Sequence, residues 1–152
     1  MNRVEDAVAA FDPYSCAQAM LVTYGPAFGL DPAVGSRVAA ALGGGLGLLG
    51  RTCGAVVGAF ILAGLLCSED EVREAQGRKK AYGLARRLAE AFEARHGTVC
   101  WPDLLGCDSS TEAGSAQAVE RDLFSTVCPA FVRDAAELFE ELAAELKGVR
   151  DG

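Results

Sequence analysis

Six cysteines, at positions 16, 53, 67, 100, 107 and 128, are the residues of this chain best suited to chemistry. A thiolate attacks disulfides and is a soft ligand for metals and iron–sulfur clusters. No two are spaced as CxxC, so spacing alone singles out neither a metal site nor a dithiol motif. Their neighbours say more. Cys53 follows Thr52, a capping residue, and Cys128 directly precedes Pro129, a residue favoured in the first helical turn. Both are therefore placed at helix N-termini, where free N–H groups and the helix dipole stabilise a thiolate or a negatively charged cluster. Cys16 follows Ser15, a second capping residue, and Cys100 lies in a loop beside Trp101. Cys16, Cys53, Cys100 and Cys128 thus stand at element ends from which they can converge. Cys67, at the end of an apolar run, and Cys107, after Gly106, read as small hydrophobes.

Other motifs carry less. Gly45-Leu46-Gly47-Leu48-Leu49-Gly50 matches GxGxxG, but a dinucleotide site needs a strand before it, and Asp31-Pro32 opens a helix there instead. The tract reads as backbone packed closely against a neighbour, with no nucleotide bound. His96, the one histidine, falls at a helix C-terminus, where a partly cationic ring complements the dipole. Arg78-Lys79-Lys80 and Arg86-Arg87 read as a solvated helix face balanced by Glu71, Glu74 and Glu90.

Helices must position these groups, because helix formers dominate and no period-2 alternation reaches the length of a strand. Helices are expected over 4–11, ended by Asp12-Pro13; over 15–24, broken by Gly25-Pro26; and from Asp31-Pro32 to about 42. Thr52 caps a helix over 53–66, whose Gly54, Gly58 and Gly64 permit close helix contact. Ser68 with Glu71 forms a capping box that opens one long helix ending near His96-Gly97. A single turn over 101–105 and a helix over 112–126 follow. The last helix begins at Cys128-Pro129 and repeats Val132, Ala135, Phe139, Leu142 and Leu146 at 3, 4 spacing. That seam packs either internally or against a second copy, as a homodimer. The fold expected is all-α, a single-domain bundle of about five to seven helices over 1–152, around a central Gly-rich helix.

Charge narrows the partners. Lys plus Arg number 14 against 21 Asp plus Glu, a net of −7, which disfavours nucleic acid. The charge-free runs 38–50 and 52–67 fall short of the roughly 18 to 20 residues that a membrane span needs. No export signal is visible behind the acidic start Glu5-Asp6, so the cytoplasm is expected, with no membrane association. Cysteines in a reducing compartment point to metal or redox chemistry rather than to structural disulfides.

The ordered motifs resemble one family. Ser15-Cys16-Ala17-Gln18-Ala19, the Gly43–Gly50 tract, Cys53-Gly54-Ala55-Val56-Val57-Gly58, Cys100-Trp101-Pro102-Asp103-Leu104-Leu105-Gly106 and Cys128-Pro129-Ala130-Phe131-Val132 resemble the redox-active family named C_GCAxxG_C_C over residues 10 to 145. The resemblance implies a small helical redox protein whose family cysteines are Cys16, Cys53, Cys100 and Cys128. A related domain in the split-Soret cytochromes, dimers with an iron–sulfur centre, adds cluster binding as an implication. One departure stands out: the chain reads Cys53-Gly54 where the family motif reads Gly-Cys, which displaces that sulfur by one position. No CxxCH occurs, so no haem is implied. The leading expectation is that Cys16, Cys53, Cys100 and Cys128 converge and ligate an iron–sulfur or other metal cluster for electron transfer or sensing with a redox partner. Two alternatives stay open: a thiol–disulfide oxidoreductase that uses two of these cysteines, and a structural module for dimerisation or partner binding.

Overall fold

Local side-chain capping starts several of the helices. The computed structural model describes residues 2–151. Asn2 accepts from the Val4 N–H (3.1 Å) at the head of α1 (Arg3–Ala10). The box between Ser15 and Gln18 heads α2 (Cys16–Tyr24), with the Ser15 N–H donating to Gln18 Oε1 (3.0 Å). A 3-10 turn (Gly25–Phe28) follows, and Asp31 Oδ1 then accepts from Ala33 N–H (2.9 Å) to head α3 (Pro32–Val38). After the turn α4 (Gly43–Leu46) come α5 (Gly54–Leu65), α6 (Glu69–Arg73), α7 (Ala75–His96) and α8 (Trp101–Leu105). The chain ends with α9 (Glu112–Glu120), α10 (Leu123–Thr126) and α11 (Cys128–Asp151). Among the described residues there is no strand, only an isolated antiparallel bridge between Thr52 and Cys100. The fold is all-α, and among the described residues no helix is long and apolar enough to cross a membrane.

The helical segments outnumber the five to seven expected, because three of the expected helices are cut short or split. The helix from Pro32 stops at Val38, and the turn after it brings the Leu42 carbonyl onto α5; a Cβ on Gly54 would lie 3.2 Å from that oxygen. Glu74, extended at φ −91°, ψ 148°, divides the long helix expected after Ser68 into α6 and α7. Two long-reach contacts hold that break. The Arg78 guanidinium donates to the Val72 (3.1 Å) and Arg73 (2.7 Å) carbonyls, and the Glu71 carbonyl rests on Gly77, where a Cβ would come within 1.7 Å of it. Asp122, left-handed at φ 54°, similarly divides α9 from α10.

The core forms where α5 meets α2, α7 and α11, while α1 lies across α2 and α11. Met20, Leu21, Tyr24, Val56, Leu62, Phe92 and Val132 are its largest fully buried side chains. Each burial of this kind stabilises by about 1.5–3 kcal/mol. Gly58 sets the α2–α5 approach, since a Cβ there would meet the Met20 Cβ at 2.8 Å; Gly64 has nothing within 4 Å and plays no such part. The seam Val132, Ala135, Phe139 and Leu142 is buried within this one chain, and Leu146 is half-buried at its end.

Polar contacts tie the long helices together. Tyr24 donates its hydroxyl proton to Glu140 (2.7 Å), and burial with that carboxylate pushes the phenol well above its ordinary range. Arg95 pairs with Glu137 (2.6 Å) and Asp134 (3.0 Å) on α11. His96 is the last residue of α7, at the helix C-terminus as expected. Its Nε2 donates to Asp134 (2.6 Å) across the interface, while Gly97, left-handed at φ 83°, caps α7. Of the basic run, Lys80 pairs with Glu71 (2.8 Å) and Arg87 with Glu145.

Candidate functional site

Cys16, Cys53, Cys100 and Cys128 all stand at helix starts. Cys16 is the first residue of α2, Cys53 the N-cap of α5, Cys100 the N-cap of α8 and Cys128 the first residue of α11. The α5 helix begins one residue later than expected and without Thr52 as its cap. Thr52 is drawn instead into the bridge with Cys100, in which Cys53 N–H donates to the Val99 carbonyl (2.8 Å) and Trp101 N–H to the Arg51 carbonyl (2.8 Å).

That bridge sorts the side chains. Successive residues of paired extended chain point to opposite faces. Cys53 and Trp101 therefore turn inward, 0% and 3% exposed, while Thr52 is half-buried and Cys100 is exposed. On the inner side Cys53 joins Cys16 and Cys128, both buried, and each of these three sulfurs lies within electrostatic reach of another. The structure thus gathers three of the four candidates and holds Cys100 apart. Cys67 is buried beyond the far end of α5, its thiol facing the Ala63 carbonyl (4.0 Å), about 20 Å from Cys53 at the helical rise. Cys107 is half-buried in the loop after α8.

The pair Cys16 and Cys128 is asymmetric. Hydrogen bonds from the Cys16 thiol, then from the Trp101 indole N–H, hold Cys128 below the usual thiol range against the opposing effect of burial. Cys16 moves the other way: its proton is committed to Cys128, it is buried, and the Cys53 and Cys128 sulfurs oppose a further negative charge. Cys53 is pushed up to about 11 by burial, with the Ala55 and Val56 N–H groups pulling against that shift. The pair accordingly releases a first proton readily, from Cys128, and a second with difficulty. A thiolate beside a protonated thiol is the starting arrangement for disulfide exchange.

The pair is reached through a cleft of about 450 Å³, with Cys16 and Cys128 among its lining residues. Trp101 and Phe124, stacked at 5.7 Å, form one wall, and the Gly43–Gly50 tract forms another. This tract is left-handed over consecutive residues, Gly44 (φ 65°), Gly45 (φ 71°), Leu46 (φ 67°), Gly47 (φ 65°) and Leu48 (φ 64°). Leu46 and Leu48 each cost about 1–2 kcal/mol in this conformation. Gly45 carries the closest approach, since a Cβ there would lie 2.8 Å from Arg51 N and 3.1 Å from Trp101 Cβ. The tract therefore presses on the two chain segments that make the bridge. Among the described residues no strand precedes it, as the dinucleotide-binding turn would require. A larger groove of about 730 Å³, at the far end of α2 between Tyr24 and Phe139, contains no thiol among its lining residues.

Two participants escape a sequence reading. The Trp101 indole as a donor to Cys128 and Phe124 as its stacking partner are joined to the site across 27 and 23 positions of chain; adjacency to Cys100 was the only signal for Trp101.

Among the described residues no group of three or more His, Cys, Asp or Glu side chains is placed closely enough to hold a metal ion, Cys16, Cys53 and Cys128 included, and Cys100 is exposed at the bridge. Compared with known proteins, residues 14–142 match the model of the family described as "Putative redox-active protein (C_GCAxxG_C_C)". No curated protein and no solved structure matches the chain.

Proposed function

The chain belongs to the C_GCAxxG_C_C family of redox-active proteins, and we propose that its redox element is a two-electron dithiol, with Cys128 as nucleophile and Cys16 as resolving thiol. The observation that carries this reading is that Cys16 and Cys128 line one cleft, each shifting the acidity of the other, in opposite directions.

The step balances without a metal. The Cys128 thiolate attacks one sulfur of a substrate disulfide, forming a mixed disulfide and breaking the substrate S–S bond. The leaving thiolate takes the Cys16 proton. The Cys16 thiolate then attacks the Cys128 sulfur, forming the intramolecular disulfide and expelling the second substrate thiolate, which is protonated from water. Two electrons pass from the protein to the substrate, and a cellular dithiol returns them. Trp101 steadies the negative charge on Cys128 before the attack.

Oxidation of the reduced protein, followed by peptide mapping, tests this reading. The expected product is one disulfide that joins Cys16 and Cys128, formed equally in Cys100→Ser. A different pairing, or none, refutes it. The cluster on Cys16, Cys53, Cys100 and Cys128 is the competing proposal, supported by the gathering of three buried cysteines at helix N-termini. It requires Cys100 to turn inward, and it predicts matching iron and acid-labile sulfide after anaerobic purification, lost on Cys100→Ser.

A further inference from the structure

The cleft above the dithiol carries information about what reaches it. Its wall is made by Phe11, Tyr14, Leu48, Trp101 and Phe124, and none of the described residues that line it is Asp, Glu, Lys or Arg, which leaves the attacking Cys128 thiolate as its one charge. That is unusual for the surface of a chain with 21 acidic and 14 basic residues. Its volume, about 450 Å³, falls in the range of small-ligand sites. A second observation points to a ligand independently. The wall that contains Leu48 is held in left-handed backbone, with Leu46 and Leu48 in a conformation that L side chains avoid. Strain of this kind persists only where the surroundings enforce it, and it clusters at ligand clamps.

We infer that this cleft is the substrate site of the dithiol and that it accepts small, uncharged disulfides with an apolar or aromatic body. The inference rests on the dithiol reading. A neutral substrate lays its body against the Trp101–Phe124 stack and presents its S–S bond to Cys128 on the cleft wall. A charged disulfide must leave water for a wall whose one charge, the Cys128 thiolate, is spent in forming the mixed disulfide. Exclusion by the wall differs from repulsion by the whole molecule. The net charge of −7 favours cations over anions and is screened beyond about 8–10 Å at ordinary ionic strength, whereas the wall rejects both signs at any salt concentration.

The test compares three small disulfides whose thiols have matched acidity: one neutral, one dicationic and one dianionic. Their rates with the reduced protein are measured at low and high salt. The neutral compound is expected to react about tenfold faster or more than either charged one, the factor that an unpaired charge in an apolar site sets, and high salt should not close the gap. Equal rates, or a lead for the dication that salt abolishes, overturn the inference and leave the dithiol reading intact. No reaction with any of the three overturns both. Ala41→Lys, at an exposed position that lines the cleft, supplies the missing counter-charge. It is expected to raise the dianion's rate several-fold relative to the neutral compound, and an unchanged ratio counts against the site.

Discussion

The hydrogen bond from Cys16 to Cys128 can be removed without removing the nucleophile. In Cys16→Ala the largest influence that holds Cys128 below the usual thiol range is lost, while the Trp101 indole N–H and the surrounding burial remain. A hydrogen bond to a charged group contributes about 1.5–3 kcal/mol. At 1.4 kcal/mol per factor of ten, the Cys128 thiolate population at a fixed pH below its titration should fall by roughly ten- to a hundredfold. Cys16→Ser keeps an O–H donor of similar reach and should recover much of that loss, although neither variant can form the intramolecular disulfide. The assay is the pH dependence of alkylation by a small neutral reagent, followed at Cys128 by peptide mapping so that exposed Cys100 does not obscure it. The profile should move to higher pH in Cys16→Ala and much less in Cys16→Ser. Coincident profiles for the wild type and Cys16→Ala would show that the asymmetry does not come from this contact, and the assignment of nucleophile and resolving thiol would fail.

Three further outcomes follow from the same contacts. Trp101→Phe keeps an aromatic ring against Phe124 but removes the N–H donor, so Cys128 alkylation should also move to higher pH, by less than in Cys16→Ala, because the Cys16 bond is the larger cause. Stability should fall as pH rises from 9 towards 11. Cys53 is raised from 9.0 to about 11, so its contribution is complete below the ordinary thiol value and is lost as the unfolded chain ionises. Two units correspond to about 3 kcal/mol, and Cys53→Ala should flatten the decline in chemical denaturation across that window. Gly77→Ala places a Cβ 1.7 Å from the Glu71 carbonyl, so α6 must move off α7; a loss of about 1–3 kcal/mol is expected, against no loss for Gly83→Ala, where nothing lies within 4 Å.

Helix starts were legible because capping is local. Ser15 with Gln18, Asp31 with Ala33, and Ser68 with Glu71 satisfy free N–H groups over two or three residues, so the pattern that forms the cap is visible in the pattern of letters. Breaks were less legible. The halt at Glu74 depends on Arg78 reaching back to the Val72 and Arg73 carbonyls and on a carbonyl seated over Gly77. Helix propensity across that stretch is uninterrupted, and only the folded geometry rewards the extended residue. The glycine tract announced close packing, but not that Leu46 and Leu48 would share the left-handed path of their glycine neighbours.

The candidate site divides along the same line. Residue types and their neighbours grouped Cys16, Cys53, Cys100 and Cys128 at element ends, with Cys53 and Cys128 at helix starts and Cys100 in a loop, because the preference of a helix start for particular residues acts within a turn. Which of them face one another was decided by the bridge between Thr52 and Cys100, formed across 48 positions of chain. In that bridge side chains alternate from face to face, so the pairing that turns Cys53 and Trp101 towards Cys128 turns Cys100 towards solvent. A register of that kind is fixed by contacts between distant segments, and local sequence carries no term for it.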